Sequence, residues 1–137
     1  MSLHRLRAWP PVAPLRRVEV VGDSMAPDLL GGDRLLVSSV GPLRVGDVIA
    51  LRDPSQPRRV LVKRLAAAPG DAVTVAGEVL HADGGAVVLG DNLPQSTDSR
   101  SFGPVPLALI LGRCVYRYAP EARRGALLAR GRSQVDW

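Results

Sequence analysis

The chain has 137 residues, enough for one domain with a core and too few for two ordinary ones. Its 46 % hydrophobic content argues against global disorder, and its 4 % aromatic content means a core built from Val, Leu and Ala. The net charge of +5 and the pI near 10.6 do not by themselves point to nucleic acid. The arginines are spread along the chain, and the one dense group (Arg123, Arg124, Arg130, Arg132) lacks the interleaved aromatic residues of a stacking platform. No nucleic-acid partner is expected.

Residues 1–15 read as a flexible segment, basic but without the apolar stretch of a signal peptide. Alternating apolar and polar residues then predict strands at 17–21, 33–40, 47–51, 59–65, 72–75, 78–81, 86–89 and 109–118. Gly, Pro or Asp bounds most of them, and Gly77 and Asp83-Gly84-Gly85 suit hairpin turns. A short helical turn fits 25–30, and 119–130 has the composition of a terminal helix interrupted by Gly125. The fold class expected is all-β, a twisted, partly closed antiparallel barrel over 16–118, followed by an Arg-rich tail at 119–137. The longest apolar run, 105–111, is far short of the ~18 residues of a membrane span. The chain therefore reads as soluble, with the cytoplasm as its expected location.

Cys114 is the single cysteine, which excludes an intrachain disulfide, and its apolar run predicts a buried, inert thiol. His4 and His81 have no metal-ligand spacing. No metal and no cofactor are expected.

Of the 18 basic residues, 17 are arginine and one, Lys63, is lysine. Lysine offers what arginine cannot: loss of its proton near neutral pH. Composition alone does not separate this from codon bias. Strand alternation, however, puts Lys63 on one face with Leu61 and Leu65, where burial lowers an amine's pKa. A neutral amine can take the proton of a nearby serine hydroxyl. The candidate serine, Ser24, follows a predicted strand and Gly22 at a sharp turn, where backbone N–H groups converge as an oxyanion hole requires. Taken alone, this segment reads better as a serine capping the turn behind it.

Four segments together resemble the type I signal peptidase superfamily, in order and in wording. They are Gly22-Asp-Ser-Met-Ala-Pro27, Val45-Gly-Asp-Val-Ile49, Val62-Lys-Arg-Leu-Ala-Ala-Ala-Pro-Gly-Asp71 and Gly90-Asp-Asn-Leu-Pro-Gln-Ser-Thr-Asp-Ser-Arg-Ser-Phe-Gly103. The resemblance covers about residues 17–118. It implies a Ser/Lys-dyad serine peptidase with Ser24 as nucleophile, Lys63 as general base and Ser96 orienting the Lys63 amine. It also implies that Gly22, Met25 and Val62 bind substrate, Met25 lining the pocket for a small residue. Arg64 with Asp91, and Arg100 with Asp98, would be structural ion pairs.

The chain departs from that pattern in four ways. No stretch reads as the membrane anchor, Asp28 stands where threonine is usual, Gly22 stands where some members place a hydroxyl that assists the oxyanion, and 39 positions from Ser24 to Lys63 leave no room for a second β-domain. A small, Arg-rich, Lys-poor member resembles the nickel-type superoxide dismutase maturation proteases. That likeness implies as partner a dismutase precursor carrying a flexible N-terminal propeptide. The alternatives are a signal peptidase acting on secretory preproteins and a self-cleaving regulator of the SOS-repressor kind. For the regulator, the residues before the first strand leave no room for a DNA-binding helix-turn-helix. A catalytically dead binding module is disfavoured because both dyad residues are present.

Overall fold

The computed structural model describes residues 15–130. Nine strands follow in chain order: β1 (Leu15–Glu19), β2 (Arg34–Ser38), β3 (Val48–Asp53), β4 (Gln56–Ala67), β5 (Ala72–Val75), β6 (Glu78–His81), β7 (Val87–Leu89), β8 (Ile110–Ala119) and β9 (Gly125–Ala126). One short helix, α1 (Ser99–Phe102), and three 3-10 turns complete the set. Six strands form an antiparallel sheet in the order β1-β2-β8-β3-β4-β7, with β9 added to β8, while β5 and β6 form a separate hairpin. The fold is all-β, as the alternation predicts.

The central strands are buried on both faces, so their alternate residues feed two cores. Val48 and Ala50 of β3 and Val62 of β4 join Val20, Met25, Leu29, Leu35, Val37 and Cys114. Ile49 and Leu51 of β3 join Leu65, Ala86, Val88 and Val105, with Leu61 packed against them. Lys63 shares strand phase with Leu61 and Leu65 and lies opposite Ile49, so its stem enters the second core. Arg64 has the opposite phase, with Val62.

Two features prepare the site. The β7 pairing of β4 begins at Arg64, so the preceding residues of β4 have a sheet neighbour, β3, on one side only. β1 is likewise an edge strand. Beyond β1 the chain makes a loop closed at its base, where the Val20 N–H donates to the Asp33 carbonyl and the Gly32 N–H to the Val20 carbonyl, both at 2.8 Å. That closure ends β1 at Glu19 instead of residue 21. Ser24 sits on this loop, after a turn in which Gly22 takes φ +79°, a conformation L side chains rarely adopt.

The tail differs from the helix expected over 119–130. It forms a 3-10 turn (Glu121–Arg123) and then β9, with Ala126 opposite Tyr116. The reason lies partly in the segment itself and partly in what it packs against. Pro120 and Gly125 limit helix length, Leu127 packs onto the first core, and Arg124 donates to the Tyr118 carbonyl. The flexible N-terminal segment was expected over 1–15, but Leu15 opens β1; residues 1–14 and 131–137 lie outside the described residues. No helix among the described residues is long and apolar enough to cross a membrane.

Candidate active site

The two open strand edges flank a cleft of about 440 Å³. Residues 19–24 line one wall and residues 59–63 the other, with Asp53 and Ser55 at the β3–β4 hairpin and Gln95, Thr97 and Phe102 closing it. Ser24, Lys63, Gly22 and Val62 therefore meet in one place.

Lys63 is 4 % exposed and forms no salt bridge with a carboxylate among the described residues; its amine donates to the Ser96 hydroxyl at 3.2 Å. Burial pushes its pKa below the ordinary lysine value, and Arg59 and Arg100 push the same way, against the opposing pull of Asp98 and Asp53. Ser96 in turn donates its proton to Asp98 Oδ2 at 2.8 Å. Asp98 is fully buried and also accepts from the Gly90 N–H (3.0 Å) and from Arg100 Nε (2.9 Å). Burial raises the Asp98 pKa, but the bonds from Arg100, Gly90 and Ser96 outweigh it and hold the carboxyl below its usual range. An ionised carboxylate only accepts, so the Ser96 hydrogen is committed to Asp98 and its lone pair is left for Lys63.

Ser24 is half-buried, and its hydroxyl makes no hydrogen bond to a described residue. Its N–H is similarly without a partner among them, which leaves it available to an oxyanion. The segment after β7 fixes its position. The Asn92 N–H donates to the Ser24 carbonyl (2.9 Å), and the Asn92 side-chain amide donates to the Asp23 carbonyl (3.0 Å). Gly90 lies between the two halves of the site. A Cβ there would fall 2.2 Å from Ser96 Oγ and 2.6 Å from the Ser24 carbonyl oxygen. Sequence reasoning missed Asn92 and the steric demand on Gly90, although both stand in the quoted Gly90–Gly103 segment.

Both expected ion pairs are present. Arg64 is buried and forks onto Asp91 at 2.8 and 2.7 Å, while donating to the Gly46 carbonyl and to Asp28. Arg100 forks onto Asp98. Asp28, the departure from the usual threonine, thus adds a second carboxylate to Arg64, and it also pairs with Arg130. Met25 differs from expectation. Its side chain is fully buried in the first core, its sulfur accepts from the Asp91 N–H at 3.5 Å, and it is not among the cleft-lining residues. Being next to Ser24 in sequence, it points the other way. Cys114 is buried, and burial pushes its thiol up to about 12, so it is chemically quiet.

Residues 11–87 and 82–119 match the family described as signal peptidase, peptidase S26. The chain is 39 % identical over 122 residues to the mitochondrial ATP-independent inner membrane protease subunit 1a of Arabidopsis thaliana, covering 79 % of this chain and 73 % of that protein. It is 36 % identical over 129 residues to the mitochondrial inner membrane protease subunit 1 of Xenopus tropicalis (85 % and 77 %). It is 31 % identical over 143 residues to the probable signal peptidase I-1 of Synechocystis (79 % and 73 %). With a family match over most of its length and relatives of this similarity, the chain belongs to the signal peptidase (S26) family and is a serine peptidase.

Proposed function

We propose that this peptidase cuts an extended segment of a precursor protein with Ser24 as nucleophile and Lys63 as its base. The observation that carries this reading is the buried Lys63 amine, held by a neutral hydroxyl in the cleft that also contains Ser24. A substrate strand laid between the open edges of β1 and β4 pairs through its backbone. Neutral Lys63 takes the Ser24 proton as Ser24 Oγ bonds to the scissile carbonyl carbon, and the Ser24 N–H meets the developing oxyanion. As the C–N bond breaks, Lys63 passes that proton to the leaving amine. A water, deprotonated by the same amine, then cleaves the ester and restores the Ser24 hydroxyl.

On substrate, the relatives favour a processing or signal peptidase that removes leader segments from preproteins, since those reported above are named inner membrane protease subunits and a probable signal peptidase. The narrower reading, maturation of a nickel superoxide dismutase precursor, rests on the small size and the Arg-rich, Lys-poor composition, and none of those relatives is named for it. The test offers the protein a secretory-type preprotein in lipid and a detergent-free dismutase precursor at equal concentration, with the new N-termini sequenced. Preference for the preprotein supports the leader-peptidase reading; preference for the dismutase precursor replaces it. Ser24→Ala and Lys63→Arg are each expected to abolish cleavage of either. Substantial activity in Lys63→Arg, which keeps the charge but cannot act as base, refutes the dyad.

A further inference from the structure

The Ser24 loop is held at two ends. Asn92 clamps its nucleophile end, as described above. Its far end, Asp28 to Asp33, is gripped by arginines, two of which, Arg123 and Arg130, lie beyond the family-matched residues that stop at 119. Arg123 donates to Asp33 Oδ1 at 3.0 Å and reaches the Asp28 carbonyl, and Arg117 donates to Asp33 Oδ2 at 3.2 Å and to the same carbonyl at 3.0 Å. Arg117 also donates to the Arg123 carbonyl, which ties the turn to β8.

Asp33 is the keystone of the loop. It is 1 % exposed, and its Oδ2 accepts the Leu30 N–H at 2.9 Å while its carbonyl accepts the Val20 N–H. Two residues before it, Gly31 faces the backbone of Gly22 (a Cβ on Gly31 would lie 3.5 Å from Gly22 N and O). Hence the path from Arg123 runs through one buried carboxylate to the backbone two residues ahead of Ser24.

We infer that Arg123, on the tail, is a positioning residue for the nucleophile. With Arg117 it fixes Asp33, and through Asp33 the turn that presents Ser24. The inference rests on Ser24 being the nucleophile. Two arginines share the two oxygens of one desolvated carboxylate, so removing one leaves the other pair in place and the protein folded, with the loop loosened.

The experiment compares Arg123→Gln, Arg123→Lys and Arg124→Gln with the parent chain, well below each protein's Tm. Arg124 serves as control because it sits in the same turn but bonds the Tyr118 carbonyl instead of the loop. In Arg123→Gln, amide hydrogen exchange should quicken at Leu30 and Gly32. On a peptide substrate, kcat should fall roughly 10- to 100-fold, the scale of a sub-ångström misplacement, with KM within about twofold. The rising limb of the pH–rate profile should stay in place, because Lys63 is held from β4. Arg123→Lys should recover part of kcat, and Arg124→Gln should match the parent. Unchanged exchange at Leu30 and Gly32, unchanged kcat in Arg123→Gln, or an equal loss in Arg124→Gln overturns the inference. The exchange measurement needs no substrate, so a parent chain whose cleavage survives Ser24→Ala would refute the nucleophile reading without touching the strap.

Discussion

Gly90→Ala probes the join between the two halves of the site. The added methyl would lie 2.2 Å from Ser96 Oγ, 2.4 Å from Ser96 Cβ and 2.6 Å from the Ser24 carbonyl oxygen. Ordinary non-bonded contacts need about 3.5 Å, so Ser96, Ser24 or both must retreat by roughly 1 Å. The Lys63–Ser96 bond is already 3.2 Å long, and such a retreat breaks it. Overpacking of this kind costs about 1–3 kcal/mol, while a misplacement of ~1 Å at reacting groups costs about 100-fold in rate. Activity should therefore collapse far more than stability. Gly84→Ala is the matched control, since a Cβ there meets nothing within 4 Å. The assay is cleavage of a quenched-fluorescence peptide beside a calorimetric Tm. If Gly90→Ala keeps kcat within twofold of the parent, the juxtaposition of Ser96 and the Ser24 carbonyl does not govern the site, and the geometric argument fails.

If the neutral Lys63 amine is the base, as proposed, cleavage by the parent enzyme should rise with pH along a limb centred below the ordinary lysine pKa of 10.5, because burial lowers that of Lys63; a rate flat from pH 6 to 10 rejects it. Lys63→Met should be inactive yet raise Tm at neutral pH. Below the lowered folded pKa, native Lys63 carries its full burial penalty; between that pKa and 10.5 the unfolded chain binds more protons, so parent stability rises with pH and the Tm gap should shrink. A gap constant from pH 6 to 10 contradicts the lowered pKa.

Legibility in the sequence followed the range of the interactions. Strands were readable because alternation is local, and β5 and β6 match their expected limits. β1 was misplaced by two residues because Val20 leaves the ladder to close the loop with Asp33, a partner alternation does not reveal. The tail was misread because Ala, Glu, Leu and Arg favour a helix in isolation, whereas here the arginines satisfy carbonyls and carboxylates far back in the chain. For Met25, which the resemblance placed at the pocket, the direction of the side chain was likewise not legible: it turns into the first core while Ser24 lines the cleft. Lys63 and Ser96, 33 positions apart, were brought together by the resemblance, and the hydrogen bond between them now supplies the physical content of that likeness.

The contrast between lysine and arginine within this one molecule ties fold to chemistry. The guanidiniums that brace the site and its loop meet carboxylates: Arg64 with Asp91, Arg100 with Asp98, Arg117 and Arg123 with Asp33. Those pairs keep their charge, as a rigid scaffold requires. Lys63 is buried without one. The carboxylate nearest to it along the bond network, Asp98, is already engaged by Arg100, by the Gly90 N–H and by the Ser96 hydroxyl. An Asp98 free of Arg100 would attract the ammonium directly and stabilise the protonated amine, which could not act as the proposed base. With Arg100 in place the carboxylate orients Ser96 instead, and Ser96 offers Lys63 a lone pair without a charge. The ion pair that the resemblance implied as scaffold thus also keeps occupied the carboxylate that neighbours the amine in the network, leaving the lysine buried, oriented and held below its ordinary pKa.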